Sequence, residues 1–237
     1  MALNIQTFKT RALTALLFVV VMLTGLLWNF WSFLVLFTVI HFGCWFEFVK
    51  LMKKIYGRKY LLYCLFGLIY ITLPVLMIIE LGFKYEIYTV NNMPDKFEFI
   101  WYIPFGIIFS IWINDTMAYL VGSFIGKTPL SKISPKKTWE GTIGGIILCI
   151  IVVSFIGFVA NAGGWIHSSM VQHFTIVAAI CAIFGTFGDL LESKLKRMAD
   201  VKDSGSFMPG HGGFLDRFDS LLIAVPAVWV YVYFFIN

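Results

Sequence analysis

The chain has 237 residues, of which 59% are hydrophobic and 13% charged, with a formal net charge of +5. Soluble domains hold about a quarter of their residues as charged groups, so this composition excludes a soluble globular fold. It points to an all-α, polytopic bundle in a bilayer, where each crossing takes about 20 apolar helical residues; no nucleic-acid partner is expected.

Taken in chain order, Lys9 and Arg11 precede a first apolar run at about 12–28. The arrangement is like a secretory leader, but no small-x-small cleavage site precedes the next run, so an uncleaved anchor is expected. A second run, about 30–49, follows almost at once and predicts a tight helical hairpin. KLMKKIYGRK (50–59) reads as a topology signal lying against lipid headgroups. A third run covers about 60–80, and loop 81–98 holds little chemistry. The fourth run, about 99–122, is interrupted by Asn114 and Asp115. After a glycine- and lysine-rich loop come runs at about 141–161, 174–190 and 220–236, making seven expected spans. His167 and His173, in loop 162–173, read as interfacial residues. The expected organisation is 1–98 as N-terminal transmembrane helices and 99–237 as a catalytic transmembrane region with cytoplasmic loops 122–141 and 191–219.

Charge supports this arrangement. With the N-terminus in the cytoplasm and the sides alternating, all of the 18 Lys and Arg residues except Lys84 and Lys96 fall on the cytoplasmic side, as the positive-inside rule requires. Cys44, Cys64, Cys149 and Cys181 lie inside apolar runs without a CxxC spacing, and read as packing residues. No repeat of 20–50 residues is visible.

The polar residues that composition makes rare carry the chemistry. Asp115 lies deep in the fourth span, where an ionised group costs about 2.5–3.5 kcal/mol; it must face a polar cavity or a partner, either as a ligand to an ion or substrate or as a structural hydrogen-bonding group. Asp189 is followed by Glu192 at i+3 and Lys196 four further on, a spacing that ordinary helix-end charge pairs also explain. In KDSGSFMPGHGGFLDRFDS (202–220), Asp216 and Asp219 are three apart and share a face if a helix begins there. Paired carboxylates in an oxygen-rich loop suit Mg²⁺. Pro209–Gly210 and Gly212–Gly213 around His211 permit tight turns and a close backbone approach to a ligand. In GKTPLSKISPKKTWEG (126–141), Lys127, Lys132, Lys136 and Lys137 stand beside Ser134, Thr138 and Glu140. Such a cluster suits polyphosphate. It is not a Walker motif, and attraction to anionic lipid, about 1 kcal/mol per basic residue, explains it equally well. Together the two loops suggest phosphoryl or nucleotidyl transfer onto a lipid.

At these residues the chain resembles the phosphatidate cytidylyltransferases. Their signature, S-x-apolar-K-R, four residues, K-D, then a small residue, P or G, H-G-G and D-R-x-D, is met by Ser193, Leu195, Lys196, Arg197, Lys202, Asp203, Gly205, Pro209, His211, Gly212, Gly213, Asp216, Arg217 and Asp219. Met208 stands where Leu, Ile or Phe is usual. The run D-T-x-A-Y-x-x-G at Asp115 to Gly122, then S-P-K-K-T at Ser134 to Thr138 and Glu140-Gly141, is similar to the same family, so the resemblance covers about 110–220. It implies that CTP and phosphatidate give CDP-diacylglycerol and pyrophosphate with Mg²⁺, a second cation being left open. It further implies Asp189, Asp216, Lys202 and Arg217 as catalytic residues. Asp189 and Asp216 are the first metal ligands it suggests, with Asp219 and Asp115 second. Ser134, Lys136, Lys137, Thr138 and Glu140 would hold the CTP phosphates. Lys196, Arg197, Lys202 and Arg217 would serve CTP or the lipid phosphate, and His211, Gly212 and Gly213 would shape the floor of the site. The expected setting is a bacterial inner membrane with the site facing the cytoplasm, and a homodimer is left open. The alternatives are a CTP-dependent polyprenol or phytol kinase and, outside enzymes, a small ion transporter.

Overall fold

A computed structural model describes the backbone of residues 5–86, 96–208 and 212–236, with side chains over 12–83, 98–208 and 212–236. Helix dominates it, as the composition requires. Pro209, Gly210 and His211 lie outside the described residues. The chain divides into two compact units, residues 1–104 with 198–218, and residues 105–197 with 219–237.

In the first unit α1 (Ile5–Leu27) and α2 (Phe30–Tyr56) form the expected hairpin. Asn29 caps α2: its side chain accepts from Ser32 N–H at 2.9 Å, while Asn29 N–H donates to Ser32 Oγ at 3.1 Å. That reciprocal pair satisfies two donors a helix start leaves open. The Ser32 hydroxyl also reaches the Gly25 carbonyl at 3.2 Å, and Leu36 packs onto Gly25, drawing the helices together. Gly57, at φ 54, ends α2. The chain returns through α3 (Tyr60–Gly67), a π-helical turn (Leu68–Thr72) and α4 (Leu73–Leu81). Pro74, two residues past the π turn, has no N–H for a regular i−4 bond, which accounts for the local widening. The return is antiparallel to α2: Phe48 meets Tyr70, Trp45 Nε1 donates to Thr72 Oγ1 at 2.9 Å, and Gly82 abuts Phe33.

Five stretches among the described residues are long and apolar enough to cross a membrane: 30–81, 102–125, 139–162, 168–198 and 215–235. The expected seven are not all recovered as separate spans. Runs 30–49 and 60–80 fall within one 52-residue helical stretch that folds back at Gly57, and the described apolar part of α1, Ala12–Leu27, is shorter than a full crossing. Between α4 and α5 the sequence predicted only a loop. It contains an antiparallel ribbon, β1 (Phe83–Glu86) with β2 (Lys96–Phe99), registered Phe83 to Phe99 and Glu86 to Lys96. The ring of Phe30 lies edge-on to both Phe83 and Phe99, tying the ribbon to α2.

The second unit is built from α5 (Tyr102–Ile125), α6 (Trp139–Ala162), α7 (Ser168–Met198) and most of α8 (Leu215–Phe235). Its core joins Cys149 and Val153 of α6 to Ala178 and Ala182 of α7, with Ile113, Ile146 and Phe174 packed around them. The cysteines are free and three of them are buried, which fits the expected packing role. Small residues let the helices touch backbone to backbone. Gly141 and Gly145 of α6 press on Ala118 of α5, and Gly188 of α7 lies on the main chain of Asp219 and Ser220 in α8. Helices lacking a hydrophobic drive to associate within lipid gain attraction through such close approach.

Candidate active site

The polar pocket of the second unit follows from this seam. Because α5 and α6 meet through glycines, the loop between them folds back over their ends as a small hairpin. Leu130 N–H donates to the Lys137 carbonyl at 2.7 Å, and Trp139 N–H to the Thr128 carbonyl at 2.9 Å. Thr138 caps α6, accepting from Gly141 N–H at 3.1 Å. Glu140 secures the loop from the first turn of α6: it accepts from Lys127 N–H at 3.2 Å, from Thr128 N–H at 3.1 Å and from Thr128 Oγ1 at 2.8 Å. Its carboxylate is therefore engaged with the loop backbone. Ser134 is held in the same hairpin, its N–H on Ser131 Oγ and its carbonyl accepting from Lys137 N–H.

The result is a pocket of about 530 Å³ with Lys136, Lys137 and Thr138 on the loop side and Asn114, Asp115, Thr186 and Asp189 on the helices. Lys137 forms an ion pair with Asp189, and Asp189 Oδ1 also accepts from Ser193 Oγ at 3.2 Å. Burial pulls the Lys137 ammonium below its ordinary value, an effect only partly offset by the carboxylates of Asp115, Asp219 and Glu192. Glu192, fully buried, pairs with Lys196 across one helical turn. In the pocket itself two lysines, Lys136 and Lys137, stand with two carboxylates, Asp115 and Asp189. Asn114 Oδ1 is buried without a hydrogen-bond partner and lines the pocket. An orphaned oxygen beside two carboxylates is hard-cation chemistry. Among the described residues no three of His, Cys, Asp and Glu form a ready metal cluster. Mg²⁺ commonly takes one or two carboxylates and completes its shell with water and substrate phosphate, so Asp115, Asp189 and Asn114 fit that ion by their chemistry.

In the first unit the signature loop is tied to its own helix start. Asp216, in the first turn of α8, accepts through Oδ2 from Ser204 N–H at 2.8 Å, Ser204 Oγ at 2.9 Å and Gly213 N–H at 2.8 Å. Gly212 has φ 84, where an L side chain is strained. It forms an isolated bridge with Met208, whose N–H donates to the Gly212 carbonyl at 3.0 Å. Lys202 and Arg217 are exposed in this unit, and Arg197 is exposed in the other. Asp219 is buried in the second unit and accepts its neighbour Ser220's N–H. His211 lies outside the described residues.

The structure thus brings Lys136, Lys137, Thr138, Asp115 and Asp189 to one pocket, and gathers Asp216, Gly212 and Gly213 in one loop. Sequence reasoning did not weigh Thr186, or the Gly141–Gly145 pair that brings α6 to α5. It saw Asn114 only as an interruption, although an amide in an apolar run is itself a signal of a polar cavity.

Fold and pocket together define an integral membrane protein with a polar site where a basic loop meets carboxylates on apolar helices. The chain belongs to the cytidylyltransferase family, whose profile matches residues 59–235. It is 41% identical over 139 residues to the phosphatidate cytidylyltransferase of Helicobacter pylori strain J99, covering 56% of this chain and 50% of that protein. It is 42% identical over 120 residues to the Bacillus subtilis protein of that name, covering 50% and 43%. With the Staphylococcus saprophyticus protein it shares 38% over 169 residues, covering 69% and 56%. The chain spans about half the length of the curated relatives it matches.

Proposed function

We propose that this protein transfers the cytidylyl group of CTP to phosphatidate, giving CDP-diacylglycerol and pyrophosphate, with Mg²⁺, at a bacterial inner membrane and from the cytoplasmic side. The observation that carries the reading is the pocket joining Lys136, Lys137 and Thr138 to Asp115 and Asp189, in a chain of the cytidylyltransferase family. The relatives named above as phosphatidate cytidylyltransferases support the lipid acceptor.

In this reaction a phosphate oxygen of the lipid attacks the α-phosphorus of CTP. A new P–O bond forms, the bond to the oxygen bridging the α- and β-phosphorus breaks, and pyrophosphate leaves with that electron pair. The attacking oxygen is already anionic, so no base is required and catalysis rests on alignment and charge neutralisation. Lys136, Lys137 and the Thr138 region bind the triphosphate, and Glu140 keeps their loop in register. Mg²⁺, when held by Asp115, Asp189 and Asn114, supplies positive charge to phosphate oxygens. An incoming triphosphate would draw the Lys137 ammonium away from Asp189 and leave that carboxylate for the cation. In the first unit, an apolar pocket of about 320 Å³ between α1, α2 and Phe207, Met208 and Phe214 of the signature loop suits an acyl chain.

The test is purified protein with CTP, phosphatidate and Mg²⁺, scored for a CDP-lipid. The expected result is product that disappears with chelator and in Asp189→Asn. Absence of product from the wild-type chain, or phosphorylation of polyprenol in its place, sinks the reading.

A further inference from the structure

Glu47 is an acid in the middle of α2, inside the apolar run FGCWFEFV, and it is 4% exposed. It lies outside residues 59–235, which match the family, and outside every motif of the sequence. A carboxylate so placed costs several kcal/mol unless it is well satisfied. Glu47 is satisfied by a segment some 160 residues later. Oε1 accepts from Phe214 N–H at 3.0 Å, and Oε2 accepts from Leu215 N–H at 2.9 Å and lies 2.7 Å from Ser204 Oγ. Phe214 and Leu215 are the residues at which α8 starts, so these are donors that a helix leaves open. Side chains within the segment normally satisfy them. Here a residue of another helix does, aided by the positive end of the α8 dipole.

The fit is close on every side. A side chain at Gly205 or at Gly213 would collide with the Glu47 carboxyl group. Ser204 has one hydroxyl proton and lies within hydrogen-bond distance of both Glu47 and Asp216, so the three side chains form one bracket around the loop. Asp216 and Arg217 leave α8 in its first turn, immediately after the two amides that Glu47 holds. We propose that Glu47 is a positioning residue for the cytidylyl transfer: through Phe214, Leu215 and Ser204 it fixes where Asp216 and Arg217 point. This rests on the proposed function for its catalytic part and on geometry alone for the bracket.

Glu47→Gln tests both parts, because Phe214 N–H and Leu215 N–H use different oxygens of Glu47, and the carboxamide replaces one of those acceptors with an NH2 group that only donates. Hydrogen exchange in detergent is expected to rise at least about tenfold at the amides of 214 and 215 while the middle of α2 stays protected. The kcat for CDP-lipid formation is expected to fall about 100-fold, with the KM for CTP within about threefold, because a small misplacement acts on the reacting geometry. A second variant, Ser204→Ala, removes one arm of the bracket and is expected to lower kcat about tenfold while the protein still folds, with a melting temperature lower by only a few degrees. Unchanged exchange at 214–215 in Glu47→Gln, or faster exchange with wild-type kcat, overturns the proposal. If Glu47→Gln does not fold, wild-type kcat in Ser204→Ala overturns it. A wild-type chain that makes no CDP-lipid but loses protection at 214–215 in Glu47→Gln removes the proposed function and leaves the bracket standing.

Discussion

Lys137, at the end of the loop between α5 and α6, is ion-paired with Asp189 on α7, although 51 residues of chain separate them. The pair joins the basic half of the pocket to its acidic half, so each residue serves its partner and, under the proposed reaction, substrate as well. Asp189→Asn and Lys137→Met are each expected to lower CDP-lipid formation at least about 100-fold, the scale of losing one preorganised charge from a transition state. The double variant is expected to be little worse than either single one. Initial rates for the three proteins measure this, and fully additive losses would show that the two act independently.

Burial also gives Lys137 a pH signature. Its folded pKa lies below the ordinary 10.5. Between the folded and unfolded values the unfolded chain binds the extra proton, so stability rises with pH through that window. The cost of burying the ammonium is fully present below the folded value and has gone above about 10.5. Wild-type stability relative to Lys137→Met is therefore expected to increase on the alkaline side. Thermal unfolding of both proteins in detergent from pH 7.5 to 10.5 measures it, and parallel curves would contradict it.

Glu140 is expected to affect substrate through the loop it holds. Glu140→Ala removes the acceptor for Lys127 N–H and for both the N–H and the hydroxyl of Thr128. Without these bonds the loop is less ordered, so the KM for CTP is expected to rise several-fold, with kcat less affected. Steady-state kinetics at saturating lipid separate the two. A fall in kcat alone would place Glu140 among the groups that touch the reacting atoms.

What the sequence disclosed depended on whether a residue's meaning is local. Apolar runs and the one-sided distribution of Lys and Arg are local or additive, so the helices and the two polar loops were legible. The return near Gly57 was legible as the basic run 50–59 between two apolar runs; what stayed hidden is that α2 runs on through most of that basic stretch to Tyr56. The ribbon at 83–99 is too short for alternation to emerge from its surroundings. Asp216 and Asp219 stood out by spacing, but spacing cannot show that Asp216 Oδ2 is shared among Ser204 and Gly213. Glu47 was missed because its partners lie so far along the chain. Its only local sign was a carboxylate amid phenylalanines.

The α5–α6 seam gives a prediction about folding rather than chemistry. A Cβ at Gly145 would stand 2.7 Å from the Ala118 Cβ and 2.9 Å from its Cα, with little able to move. Overpacking of this sort costs about 1–3 kcal/mol. Gly145→Leu is expected to lower the melting temperature by several degrees and reduce the yield of folded protein. Gly164→Ala differs in kind: nothing lies within 4 Å of its Cβ position, and its φ of 74 is the only strain. Comparing the two by thermal unfolding separates helix contact from backbone strain, and an undisturbed Gly145→Leu would mean that the seam opens readily.

The Glu192–Lys196 pair permits a sharper test, because Glu192 has no exposed side-chain surface and Lys196 has 15%. Removing one member of a buried pair destabilises by about 3–5 kcal/mol, since it strands the other charge, whereas replacing both with neutral groups is often tolerated. Lys196→Met is therefore expected to be the most damaging change, and Glu192→Gln combined with Lys196→Met to recover much of the loss in melting temperature. Activity should follow a different order. If Lys196 also meets a substrate phosphate, as the family pattern implies, the double variant will be stable yet slow. Unfolding and turnover measured on the same three proteins therefore separate the structural role of Lys196 from its chemical one, and a double variant that is both stable and fully active would leave it only the first.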